Sequence, residues 1–381
     1  MARPPKNAEE KPQLANSDKN RLASLLDENK SDHYNDYEKV EWKISTGSLL
    51  LDTAIGGGLT PSLLRMCGYM NEGKTSQTLE IVRNFLNSIP NSKAFWMIAE
   101  GRGLSEENKA RCQLKFVYKA EDWEPGTVFV LESNIFELFI SVVKDLVKNN
   151  PESFKYVFVV DSVDGLQLRD DATKEITESN KVAGVPALSK KMMQSLSLGM
   201  FKFGHLMVLL SQVTSEIKLD PYTKTVNRGG SYSGGNALNH GADYIFMYNV
   251  TTQNDYILDN PKGKMNDGKS KPIGKYCKVT IEKSAREVSR KKQVVYPILF
   301  GKKPSGIWVE IEIIDSLLAW EFVVAKGAWI TVEDSLIEEL KAAGLEMPKQ
   351  HNGQEKFRLF LEENPEITKF LFNKFRKVIA E

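Results

Sequence analysis

The chain has 381 residues, 41% of them hydrophobic and 27% charged, a composition that buries a full core without staples and excludes wholesale disorder, a coiled coil or a collagen-like fibre. At about 150 residues per domain, the length holds two to three domains, or one large α/β domain with a smaller attachment. Lys plus Arg number 51 against 50 for Asp plus Glu, a net charge of +1, so a polyanion partner has to be held by local basic patches rather than by bulk charge. Cys67, Cys112 and Cys277 lie far apart without CxxC spacing. That argues against a disulfide framework or a cysteine metal site and fits a reducing, cytoplasmic setting. The first residues lack the apolar run of a secretory signal, and nowhere do about 18 uncharged apolar residues stand together, so no membrane partner is expected.

Residues 1–16, rich in Pro, Lys, Glu and Asn, read as a flexible arm. A short helix is expected over Ser17–Asn29, with Leu22, Leu25 and Leu26 at helical spacing. From Val40 to about Asp315, apolar β runs alternate with amphipathic stretches. The runs are Leu63–Cys67, Ala94–Ala99, Val128–Leu131, Tyr156–Val160, His205–Leu210, Tyr244–Tyr248 and Val279–Ile281, and several are apolar throughout, as in strands buried on both faces. Helices are expected over Lys74–Asn87, Ile135–Lys148 and Pro186–Phe201. The fold class is therefore α/β, doubly wound around a largely parallel sheet. The stretch Thr252–Lys275 reads as a mobile loop or hairpin tip. After about Leu317, helical segments over Leu336–Ala343 and Glu355–Glu381, broken near Asn364-Pro365, mark a small C-terminal domain. The expected division is 1–39, 40–316 and 317–381.

Gly68-Tyr69-Met70-Asn71-Glu72-Gly73-Lys74-Thr75 fits GxxxxGK[ST], follows a strand-like run and opens an amphipathic helix, the two flanks that the motif requires. Glycines let backbone N–H groups close around phosphates and the helix N-terminus adds positive dipole. Lys74 then spans the β and γ phosphates, and Thr75 holds Mg²⁺. Asp161 ends the run Tyr156–Val160, where such a protein needs a carboxylate on the magnesium side; a strand-end Asp in a turn is the plainer reading. Glu100 closes another run and either orients the attacking water or is an exposed strand-end acid. Gln212 is a fourth strand-end polar group, which alone carries little. No His, Cys, Asp and Glu cluster has metal-ligand spacing, so metalloenzyme and Ser-His-Asp readings lack support.

Taken in order, these segments resemble the RecA-type recombinases. The resemblance runs from Ile44-Ser45-Thr46-Gly47-Ser48-Leu49, Leu51-Asp52 and Gly56–Leu59, through the phosphate loop, Ala99-Glu100, Val159–Val163 and Ser211-Gln212, to Gly234-Gly235-Asn236-Ala237-Leu238. It ends on Lys326–Trp329 and Glu363–Glu366. Ile281–Ser284 with Arg286 also resembles the phage recombinase UvsX. The resemblance implies a RecA-type P-loop ATPase core and an ATP- and Mg²⁺-using, DNA-dependent ATPase. Glu100 would activate water beside Lys74, Asp161 and Thr75 would serve the metal, and Gln212 would sense the γ-phosphate. The rest of the loop, Gly68 to Ser76, would hold the nucleotide. Two loops, about Arg169–Val185 and Val213–Ser233, would bind single-stranded DNA. In the second, Ile217 would stand between nucleotide triplets while Gly234 and Gly235 offer N–H groups beside Asn236.

The residues themselves agree with that loop assignment: Lys218, Lys224 and Arg228 among glycines and tyrosines suit phosphate contact, with a solvated loop as the alternative. Acidic residues in the first loop shift phosphate contact to Arg169, Lys190 and Lys191. The basic run Lys278–Lys303 is a solvated face on its own, but by resemblance Lys283 and Arg286 would reach ATP of a neighbouring subunit, and His240 would sense it. The implied partners are single-stranded and homologous duplex DNA, further copies in a helical filament docked through the first helix, and single-strand binding and mediator proteins of a bacterial or phage-infected cell. Basic residues of the C-terminal domain, Lys349, Lys356, Arg358, Lys369, Lys374, Arg376 and Lys377, would gather duplex DNA or form a solvated face. A RecA-fold ring motor and a non-catalytic DNA-binding mediator are the rival readings.

Overall fold

The structure, a computed structural model, describes residues 14–30, 33–101, 103–172, 184–214, 231–232, 235–260, 263–265, 269–285, 289–304 and 306–380. The chain falls into two compact units, Met1–Lys39 and Val40–Glu381. In the first, helix α1 (Leu14–Glu28) begins three residues before the expected start and leaves Leu22 and Leu25 exposed. Its C-terminal end is closed by Asn29 Nδ2, which donates to the Leu25 carbonyl at 2.7 Å.

The second unit opens with α2 (Leu49–Ile55), β1 (Ser62–Gly68), α3 (Lys74–Ser88), β2 (Ser92–Ile98), α4 (Glu106–Arg111), β3 (Lys115–Val117), β4 (Thr127–Glu132), α5 (Phe136–Lys148) and β5 (Lys155–Asp161). It continues with α6 (Arg169–Ala172), α7 (Gly184–Lys202), β6 (Leu206–Thr214), β7 (Ser231–Tyr232), α8 (Gly235–Gly241), β8 (Tyr244–Tyr248), β9 (Tyr256–Leu258), β10 (Pro272–Lys283) and β11 (Gln293–Leu299). The last part holds α9 (Val309–Ala319), β12 (Val323–Lys326), β13 (Trp329–Val332), α10 (Asp334–Ala342), β14 (Gln350–Asn352), α11 (Gly353–Glu363) and α12 (Pro365–Ala380).

The main sheet runs β11-β10-β8-β1-β6-β5-β2-β4-β3, parallel from β8 to β3, with β10 and β11 added antiparallel at one edge. Residues alternate between its two faces, as a pleated strand requires. Leu64, Met66, Trp96, Val159, Val208 and Phe246 face one core, which α3 covers with Leu79, Val82 and Phe85. Leu63, Cys67, Phe95, Phe158, Met207 and Ile245 face the other, covered by α5 and α7. Each such aliphatic or aromatic side chain contributes about 1.5–3 kcal/mol on full burial. The fold is thus the doubly wound α/β architecture expected from the apolar runs.

The edge departs from expectation. Val279–Ile281 is only part of β10, because in residues 275–278 burial alternates while polarity does not: Lys275 and Cys277 are buried, Tyr276 is exposed and Lys278 is half-buried, the mark of a half-covered strand rather than a buried one. β11 escaped notice because Pro297 interrupts it, as proline does at sheet edges. Within Thr252–Lys275, β9 pairs with the start of β10 from Pro272 to Lys275, which agrees with the hairpin of the two alternatives.

A third core gathers Ile313, Leu317, Val332, Leu336, Phe357, Leu371 and Phe375 with Leu49 of α2, around the small sheet β12-β13-β14. Two buried carboxylates knit this region to the segment before β1. Asp52 is fully buried and accepts from Thr46 N at 2.8 Å, Thr46 Oγ1 at 2.7 Å and Arg376 Nη1 at 2.8 Å. Glu312 accepts from Ser48 Oγ and Leu49 N, both at 2.6 Å, at the start of α2. Arg376 is therefore a structural cation. Arg358 (to Glu355 and Glu362), Lys374 (to Glu339) and Lys349 (to Asp334) are likewise paired within the domain. Of the seven basic residues named for this region, Lys356, Lys369 and Lys377 make no ion pair among the described residues.

Removing the guanidinium in Arg376→Ala strands a buried charge and should cost about 3 kcal/mol, read from the urea midpoint at constant m-value. Burial pushes the Glu312 carboxyl up to about 8. The folded chain therefore binds a proton that the unfolded chain has lost, and this contribution, full below the ordinary carboxylate range, falls away as pH rises through 8. The melting temperature should decline from about pH 4.5 to about 8 and level off above, and Glu312→Gln should flatten that decline.

Candidate nucleotide site

The site begins with strand register. Gly68 at the end of β1 lies opposite Gln212 of β6 and Tyr248 of β8, and Ile98 of β2 lies opposite Asp161 of β5. The carboxyl ends of four neighbouring parallel strands therefore present Gly68, Gln212, Asp161 and Glu100 along one edge, where doubly wound sheets bind ligands. Only glycine suits the turn out of β1: at φ +153° a Cβ on Gly68 would stand 2.6 Å from the Tyr248 carbonyl oxygen. Gly73, at φ +100°, caps α3 and turns the chain so that Lys74 starts the helix.

Lys74 is buried, and its ammonium donates to the carbonyls of Gly68 and Tyr69, both at 2.6 Å. Burial draws it below its ordinary pKa, while the charge of Asp161 opposes that shift. Thr75 and Ser76 follow on the first turn, half-buried, with Arg111 Nη2 3.4 Å from Ser76 Oγ. Tyr69 and Met70 are exposed. Glu72 differs from the other loop residues. Its carboxylate is buried and turned toward β10, accepting from Thr251 N at 3.0 Å, from Thr251 Oγ1 and from Lys275 Nζ at 2.9 Å. Burial alone raises its pKa, but the Thr251 and Lys275 bonds overcome this and hold it below the ordinary value.

Across the edge, Glu100 Oε1 accepts from Gln212 Nε2 at 2.9 Å and from Ser162 Oγ. The Gln212 backbone N–H donates to Asp164 Oδ2 at 2.7 Å, so Gln212 is held at both its side chain and its main chain. Burial pushes the Asp161 carboxyl up to about 6, the Glu100 charge adds to the rise, and Lys74 opposes it. The arrangement fits a triphosphate and its metal. The cradle exists only because glycine leaves it open, a cation stands at its centre, and one carboxylate sits close enough to two neighbours to feel both.

The structure thus brings together Gly68 to Ser76, Glu100, Asp161 and Gln212. His240 is exposed on α8, and Lys283 Nζ donates to its carbonyl at 2.8 Å. His240 and Lys283 line, with Glu282, Ser284 and Arg290, a separate cavity of about 720 Å³. Arg169 opens α6 with its N–H bonded to Glu137 at 3.0 Å, and Lys190 and Lys191 are exposed on α7. Gly235 and Asn236 begin α8. Ile217, Lys218, Lys224, Arg228, Gly234 and Arg286 lie outside the described residues.

Sequence reasoning missed Ser162, Asp164, Thr251 and Lys275, and also Arg65. The Arg65 guanidinium, fully buried within β1, donates to Ser211 Oγ at 3.2 Å and Asn239 Oδ1 at 2.6 Å. A charged residue amid Leu63, Leu64, Met66 and Cys67 was the available signal, since buried cations need dedicated acceptors.

Because Asp161 is raised from its ordinary value, its ionised form costs the folded state, and this cost appears as pH climbs through 6. Asp161→Asn should therefore raise stability at pH 7.5 by on the order of 1–2 kcal/mol. The gain should vanish near pH 4, where both chains carry a neutral group, as read by thermal unfolding.

No family model matches the chain. It is 24% identical to Protein RecA of Synechocystis sp. over 340 residues, covering 88% of this chain and 82% of that protein. It is 25% identical to Protein RecA of Rickettsia prowazekii over 354 residues, covering 89% and 84%. The crystal structure of the RadB recombinase matches 67% of this chain and 95% of its own at 19% identity and a TM-score of 0.43. Similarity to RecA proteins thus covers nearly nine-tenths of the chain, at about a quarter of residues identical.

Proposed function

We propose that the chain is an ATP-hydrolysing recombinase that assembles on single-stranded DNA and promotes pairing and strand exchange. The observation that carries this reading is the bond between Glu100 and Gln212 at 2.9 Å, on the same sheet edge as Lys74 and Asp161. A water activator and the residue at the root of the 215–230 segment are thereby one hydrogen-bonded unit.

The backbone of Gly68 to Gly73 would wrap the phosphates, Lys74 would leave its two carbonyls for phosphate oxygens, and Thr75 with Asp161 would serve Mg²⁺. The metal, when bound, neutralises charge that develops on the phosphate oxygens. Glu100 accepts the proton of the attacking water, a role that the Ser162 and Gln212 donors assist by fixing its carboxylate. When Gln212 turns toward the γ-phosphate it gives up Glu100, and that change is felt in the following loop, where Ile217, Lys218, Lys224 and Arg228 would contact DNA. Nucleotide and DNA then favour the same state, the condition for coupling.

Head-to-tail assembly would bring Lys283, Arg286 and His240 to the ATP of the next subunit, and an open contact of that kind propagates as a filament. The exposed leucines of α1 suit docking on that neighbour. We assign residues 40–316 to ATP and single-stranded DNA, 317–381 to gathering duplex, and 1–39 to assembly. The similarity of Ile281–Ser284 to UvsX suggests a phage source, with single-strand binding and mediator proteins as partners in the cytoplasm.

The test is ATP hydrolysis with and without single-stranded DNA, alongside negative-stain images. The expected result is strong stimulation and filaments of DNA length. Glu100→Gln should lower turnover by about 100-fold or more while filaments persist. Closed rings, or turnover indifferent to DNA, would favour a motor; DNA binding without turnover would favour a mediator.

A further inference from the structure

The phosphate loop carries an acid of its own. Glu72 lies two residues before Lys74, so a carboxylate is built into a loop whose ligand is a polyanion. Its fixed partner comes from the antiparallel edge of the sheet: Lys275 Nζ stands 2.9 Å from Glu72 Oε2, 2.6 Å from the Asn71 carbonyl oxygen and 3.1 Å from Thr251 Oγ1. Both charged side chains are about nine-tenths buried, at 8% and 10% exposure. An ion pair this dry is costly to break from one side, because the survivor is left without solvent.

The bond to Asn71 matters as much as the charge. Asn71 has φ +61°, a left-handed conformation that Asn adopts more readily than other non-glycine residues, and Lys275 holds its carbonyl there. In a trans peptide the C=O and the next N–H point in opposite directions. With the Asn71 carbonyl drawn to Lys275, the Glu72 N–H is turned away from β10.

We propose that Lys275 is a positioning residue for nucleotide binding: it fixes the Asn71-Glu72 peptide so that the Glu72 N–H is offered to phosphate, and it neutralises the carboxylate that the loop carries beside that phosphate. The inference rests on the ATP-binding reading above. It separates Lys275 from Lys74, Lys283 and Arg286, which would touch phosphate directly. It also gives the antiparallel edge a task in the site, since β10 then supports the loop near one end and carries Lys283 at the other.

Lys275→Met leaves Glu72 buried, anionic and without its cation. KM for ATP should rise about tenfold while kcat changes less than about threefold, the pattern of lost binding rather than lost chemistry. Adding Glu72→Gln should restore part of the affinity, because the stranded charge is gone while the Asn71 carbonyl still lacks its donor. A merely structural role predicts no such recovery in KM. Lys275→Gln, which keeps a donor for Asn71, is the second variant should the methionine variant not fold, and should show a smaller rise with the same recovery. Hydrogen exchange at residues 69–73, run on the same proteins without nucleotide, should quicken in the single variants and slow part of the way back in the double. An unchanged KM in a folded single variant, or no recovery in the double, overturns the proposal. If the wild type neither binds nor hydrolyses ATP, the nucleotide reading fails, and the lock itself then stands or falls on the exchange pattern.

Discussion

Everything at the candidate site hangs on the burial of β1 on both faces. Every residue from Ser62 to Gly68 is buried, with β6 on one side and β8 on the other. Shifting the strand by one residue would exchange its two apolar faces and break both ladders, so its register is strongly specified. Once β1 is fixed, so is the height at which the chain leaves the sheet, and with it the position of Gly68 beside Gln212. The loop's location is a consequence of core packing, and its shape is held in part from β10, through the Lys275 contact to the Asn71 carbonyl.

Against that apolar frame, the buried polar groups stand out as deliberate costs. Asp52, Glu312, Arg65 and the Glu72–Lys275 pair are each held by several partners. Stability alone does not call for them, since apolar residues of similar volume often serve as well or better. Their positions share a pattern. Asp52 and Glu312 join the C-terminal region to the segment before β1, Glu72 joins the phosphate loop to β10, and Arg65 joins β1 to Ser211 and Asn239. Directional bonds with few geometric solutions sit where one element must be held at a set angle to another, a job that non-directional apolar contact does poorly.

What the sequence revealed follows from the range of the interactions concerned. The central strands are continuous apolar runs, so their existence and the parallel sheet were legible, and the phosphate loop was legible because its chemistry is written in consecutive residues. β11 was hidden by Pro297, and the length of β10 by its alternating, half-exposed pattern. Glu72 shows the limit most clearly: as a loop residue it was counted with the nucleotide ligands, yet its side chain belongs to Thr251 and Lys275, 179 and 203 residues away. No local pattern announces a pair at such separation. Arg376 is similar, reading as one more exposed cation of a basic helix until Asp52, 324 residues earlier, is seen to hold it.

The pairing of Glu100 with Gln212 adds a last constraint. The Gln212 amide nitrogen carries two N–H donors, and one of them is committed to Glu100. Asp164 holds the Gln212 backbone at 2.7 Å, so any move of the amide is made largely by side-chain rotation. β6 continues only to Thr214, where β7 pairs with it through Val213 opposite Tyr232 and Thr214 opposite Ser231. Gln212 is thus fixed on three sides: by Glu100 at its side chain, by Asp164 at its main chain, and by a short ladder that begins at the next residue.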